Sequence, residues 1–76
     1  MVSPSDVKPD RVIRAFERAG WENLGRIGKH FKLRKEGNRN ILSVPVHGGK
    51  TLKKGLVFGL LRCAGMTREE FQRHYR

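Results

Sequence analysis

Seventy-six residues carry 17 Lys and Arg against 7 Asp and Glu, a formal charge of +10. A chain this short makes one domain with a thin core, burying roughly 60% of its unfolded surface and gaining only about 3 to 5 kcal/mol from it. The single cysteine, Cys63, excludes an internal disulfide and reads as a small core residue without a catalytic role. Pro4, Asp6 and Pro9 stand where the apolar run of a secretory signal would lie. The longest apolar stretch, Gly55 to Met66, contains Arg62 and falls short of the roughly 20 residues of a membrane span. A cytoplasmic protein without membrane contact is the expectation, and its charge marks polyanions as targets.

Residues 1–7 read as a disordered arm and 8–76 as a single domain. Pro9 followed by Asp10 opens a helix, because proline suits the first turn and a carboxylate suits the positive end of the helix dipole. That helix is expected from Pro9 to Ala19, with Val12, Ile13, Phe16 and Ala19 on one face, Arg11, Arg14 and Arg18 on the other, and Gly20 as its stop. Three short strands follow, over about 21–27, 30–35 and 40–46, punctuated at Gly25, Gly28 and the turn Lys35-Glu36-Gly37-Asn38. In the second, Phe31 and Leu33 share one face, and the period of two sends His30, Lys32 and Arg34 to the other.

His47-Gly48-Gly49 leads into a second helix, from about Lys53 to Ala64. Leu56, Val57, Leu60, Leu61 and Ala64 are positioned to pack on the sheet; Phe58 lies off that face, and Gly59 in mid-helix suggests close packing against something. Gly65 ends it. Thr67 and Glu70 then form a capping box, with Met66 and Phe71 as its hydrophobic staple, for a short last helix reaching about Tyr75. The order αβββαα describes an α+β sandwich with helices on one sheet face and the other face free.

The charge is concentrated. From Asn23 to Ala64 there are ten basic residues and one acid, Glu36, whereas the flanks are nearly neutral. A solvated face usually mixes signs and this one does not, so Arg26, Lys29, Lys32, Arg34, Lys50, Lys53 and Lys54 are expected to contact phosphates. Gly25-Arg26-Ile27-Gly28 has the spacing of a backbone-clamping loop, but the helix pair that such a loop requires is missing, and a strand ending in a glycine turn explains it. No phosphate-binding loop, dinucleotide fingerprint or nucleophile elbow is present. His30, His47 and His74 are too scattered to suggest a metal, so no cofactor is expected.

His30 is the residue with chemistry to offer. RNA strand scission by the 2′-hydroxyl needs a base for the hydroxyl proton, an acid for the leaving oxygen and positive charge around the phosphorane. An imidazole of this residue type titrates in a range that lets it take or give that proton, and neighbouring cations supply the charge. DNA lacks the hydroxyl, so such a site selects RNA by chemistry alone.

The helix end Ala19-Gly20-Trp21, the element Gly28-Lys29-His30, Val44-Pro45-Val46-His47 with Lys50 and Leu52, then Gly55, Leu60-Leu61-Arg62, Ala64-Gly65-Met66-Thr67 and Glu69-Glu70-Phe71 follow one another in a spacing that resembles the HicA-type (YcfA-like) mRNA interferase toxins. The likeness runs from Val12 to Phe71. It implies a double-stranded-RNA-binding-domain-like fold, metal-independent endoribonuclease activity on mRNA, and neutralisation by a HicB-type antitoxin covering the active site, alone or in a heterotetramer; a homodimer is also open. The family's catalytic histidine falls on His30. Two residues depart from the family pattern. Lys29 stands where serine is usual, and Phe58 where a polar or basic residue is, which suggests a partner contact unless the ring is buried locally. The alternative is a non-catalytic RNA-binding module using the same basic surface; an adaptor docking an acidic protein through Phe58 and the lysines has the least support.

Overall fold

A helix start leaves four backbone N–H groups without partners, and Pro9 at the first position removes one of them. In the computed structural model, which describes residues 7–46 and 51–75, this opens α1 (Pro9–Arg18), with Asp10 in its first turn. There follow β1 (Glu22–Ile27), β2 (His30–Arg34), β3 (Leu42–Pro45), α2 (Lys54–Ala64) and α3 (Arg68–His74). The α+β order expected from the sequence is the observed one: a helix, a three-stranded antiparallel sheet in the order β1-β2-β3, then two helices.

Alternation along β2 and β3 builds the core. Leu33, Leu42 and Val44 are buried on the sheet face that receives Val12, Ile13 and Phe16 of α1, Val57, Leu60 and Leu61 of α2, and Phe71 of α3. Phe16 is its hub, with ring centroids 6.2 Å from Trp21 and 5.9 Å from Phe71. The two ends of the chain meet: the Lys8 amide donates to the Tyr75 hydroxyl at 3.0 Å, and Arg18 donates to the His74 carbonyl at 2.8 Å. Residues 1–6 of the expected arm lie outside the described residues. Val7, assigned to that arm, is instead fully buried, and its carbonyl accepts from the Leu52 amide at 3.0 Å.

Three further expectations are corrected. The third strand begins at Leu42 rather than near residue 40, because the side-chain amides of Asn38 and Asn40 both donate to the Cys63 carbonyl, at 3.2 and 2.9 Å. That segment therefore caps the C-terminal end of α2, where carbonyls lack helical partners. Leu56 and Cys63 are exposed rather than core, since the helix turns the arc of Val57, Leu60 and Leu61 to the sheet and leaves these two beside it. A Cβ built on Gly59 would meet nothing within 4 Å among the described residues, so the expected close packing is not found there.

Left-handed glycines sit where an L side chain would be strained. Gly65, φ 66°, ends α2, and Gly25, φ 97°, follows the register shift between Asn23 and Gly25 in β1. At α3 the capping box is complete: Glu70 N–H donates to Thr67 Oγ1 at 3.1 Å, while Thr67 N–H and Oγ1 donate to Glu70 Oε1 at 3.2 and 3.0 Å. These bonds, the backbone one first, hold the Glu70 carboxyl below its ordinary value of 4.5. A depressed carboxyl stabilises the fold above its unfolded pKa and loses that contribution as pH falls through the folded one. The melting-temperature gap between the parent and Glu70→Gln should therefore be present at pH 7 and close as the pH drops well below 4.5.

Candidate RNA-cleavage face

Pairing register decides which side chains share the uncovered face of the sheet. His30 lies opposite Ile27 on one side and Pro45 on the other; Lys32 lies between Gly25 and Ser43; Arg34 faces Glu22. Phe31 and Leu33 point to the core, so His30, Lys32 and Arg34 project together from the free face, at steps of about 7 Å along the strand. His30 and Arg34 are exposed and Lys32 half-buried, its Nζ donating to Ser43 Oγ at 3.0 Å. That bond fixes a cation one row from the imidazole.

The remaining expected phosphate contacts divide by position. Lys29 is exposed in the β1–β2 turn, adjacent to His30. Arg26 pairs with Phe31, which puts it on the helix side of the sheet, and its Nε donates back to the Gly28 carbonyl at 2.9 Å. It therefore does not share the His30 face. Lys53 and Lys54 stand at the N-terminal end of α2 and are exposed; Lys50, like His47, lies outside the described residues.

Chain direction brings Lys53 and Lys54 to the same end of the sheet as His30. Val46, just past β3, donates its amide to the Lys29 carbonyl at 2.8 Å, and the C-terminal end of α2 is tied to Asn38 and Asn40 at the opposite end. α2 therefore starts near the β1–β2 turn and runs back along β3. One end of the molecule thus gathers the imidazole, the turn lysine and the helix-start lysines, a collection of positive charge suited to a phosphodiester chain.

Phe58 is half-buried against the core, with Lys54 Nζ 5.8 Å and the Arg68 guanidinium 5.4 Å from its ring centroid. Both distances are within cation–π range. Sequence reasoning missed the two neighbours that frame His30, Ile27 and Pro45, and the Ser43 hydroxyl that holds Lys32. The alternation in β2 was readable; the cross-strand register that places these three beside it was not. Among the described residues no group of three or more His, Cys, Asp or Glu is arranged to hold a metal ion, and no helix is long and apolar enough to cross a membrane.

Comparison with family models matches residues 9–66 to the model described as HicA toxin of bacterial toxin-antitoxin. The matched span begins at α1 and ends just past α2, so it contains the whole sheet with α1 and α2, and leaves out α3. A comparison with curated proteins found no match.

Proposed function

From the premise that the chain belongs to the HicA toxin family of bacterial toxin–antitoxin systems, we propose that it is an endoribonuclease that cleaves mRNA in the cytoplasm, with His30 as general acid or base. The observation that carries this reading is the uncovered sheet face on which His30 projects between Ile27 and Pro45, with Lys32 and Arg34 behind it on the same strand.

In the proposed reaction the 2′-oxygen of the substrate forms a new bond to the adjacent phosphorus and the bond to the 5′-oxygen breaks, leaving a 2′,3′-cyclic phosphate and a 5′-hydroxyl. The 2′-hydroxyl gives up one proton and the departing oxygen gains one. His30 serves one of these transfers, and Lys29, Lys32 and Arg34 stabilise the charge that builds on the phosphorane. Lys53, Lys54 and Lys50 hold the flanking phosphates, with Arg26 beside the β1–β2 turn. Phe58 and its two cations form a contact for the antitoxin, whose expected acidity matches the +10 chain.

Incubating the pure protein with RNA in EDTA tests the activity. Cleavage to cyclic-phosphate ends supports the enzyme; a gel shift of intact RNA supports the binding module instead. Phosphate-dominated binding should weaken steeply with salt, and Lys32→Ala should flatten the plot of log K against log salt by about one unit. An unchanged slope in that variant would remove Lys32 from the phosphate contacts.

A further inference from the structure

Helix α2 carries Gly55 and Gly59 one turn apart. Glycine inside a helix is less favourable than alanine, and no contact among the described residues requires it here. Neither glycine has a positive φ, and a Cβ built on either meets nothing within 4 Å among the described residues. Among the described residues, the two leave room beside α2.

That room is a groove of about 340 Å³ between α2 and β3, lined among others by Ile41, Ser43, Leu56 and Gly59. Ile41 is 54% and Leu56 36% exposed, and among the described residues no charged side chain lines the groove although the chain carries +10. Its strand side is an open sheet edge, because β3 is last in the order β1-β2-β3. Antiparallel partners alternate between hydrogen-bonded and non-bonded pairs. Val46 bonds to Lys29, so Val44 and Leu42 also pair inward with β2, while the backbone groups of Ser43 and Ile41 turn outward. Pro45 occupies an outward position, where its missing N–H costs no ladder bond, as is usual for proline on an edge strand.

We propose that this groove and edge receive an extended apolar segment flanked by carboxylates, contributed by the partner antitoxin and added to the sheet as a fourth strand. The chemistry excludes the other occupants. Among the described residues no cation lines the groove for nucleic acid to bind. A second copy of this chain would bring its own +10 against the cations of this one, among them Lys32, bonded to Ser43 of the groove lining. An acidic partner is attracted by those cations and buries Ile41 and Leu56. The proposal rests on family membership and is independent of the role of His30.

Titration calorimetry of the purified cognate antitoxin against the parent, Gly59→Leu and Leu56→Asp tests it. Each substitution should weaken the complex at least tenfold, and the Ser43 amide should become protected from hydrogen exchange in the parent complex. Gly59→Ala should raise the melting temperature of the toxin alone, showing that the fold does not need this glycine. If Gly59→Leu fails to fold, Leu56→Asp, at an exposed position, carries the test. Unchanged affinity in the folded variants with an unprotected Ser43 amide overturns the proposal. So does slower RNA cleavage by Gly59→Leu toxin without antitoxin, which would assign the groove to RNA, or a dimer of the toxin alone that Gly59→Leu dissolves, which would assign it to a second copy. RNA cleavage by the parent is scored separately, so a failed nuclease assignment leaves this outcome readable.

Discussion

His30→Ala is expected to slow RNA cleavage by about 10²- to 10⁴-fold, the usual contribution of a positioned acid or base, while the protein still folds and still shifts RNA. The separation of these effects follows from position. The His30 side chain is exposed on the free face and is no part of the core, so its removal costs little stability, within about 0.5 kcal/mol for an ordinary surface site. The cations that hold phosphate remain. His30→Gln refines the test, because a glutamine keeps a hydrogen-bonding side chain but does not titrate. Loss of cleavage in both variants, with binding retained, assigns proton transfer to the imidazole. Cleavage by His30→Ala at the parental rate would sink the mechanism, and equal loss of binding and cleavage would make His30 a contact rather than a catalyst.

The second large effect is on stability. Phe16→Ala should destabilise the protein by about 3 to 5 kcal/mol, as for other buried phenylalanine truncations. A chain of this size has a total stability of only about 4 to 11 kcal/mol, so the variant should lose a large share of it and, at the low end of that range, unfold. Phe16 is fully buried, and its ring joins two parts of the chain that nothing local holds together, Trp21 at the entry to the sheet and Phe71 on α3. Urea denaturation followed by Trp21 fluorescence measures the loss. A midpoint shift worth less than about 1 kcal/mol would show that α1 does not depend on this ring.

These two residues also mark how the sequence is to be read. Phe16 was legible as core from its spacing with Val12 and Ile13 on α1, and His30 as a surface residue from the alternation with Phe31 and Leu33. Both readings rest on the periods of helix and strand, which are properties of the local chain. The Thr67 and Glu70 capping box was equally legible, because its partners are three residues apart. Where partners are distant the sequence was silent or misleading. Cys63 and Leu56 belong to an apolar run and read as core, yet the rotation of α2, which its C-terminal tie to Asn38 and Asn40 helps to fix, leaves both on the groove side. Arg26 counted among ten basic residues, but its register opposite Phe31 turns it from the His30 face.

By itself, the sequence determined the order of elements, the core faces of α1 and β2, the surplus of positive charge and the histidine at the head of β2. Each follows from residue type and local period. Only the tertiary structure decided that Ile27 and Pro45 frame His30, that the lysines of α2 lie at the same end of the molecule, and that Gly55 and Gly59 open a groove along the edge of β3. Those relations depend on cross-strand register and on the angle at which a helix meets a sheet. Both are set by how distant side chains fill space together, and no local period encodes them.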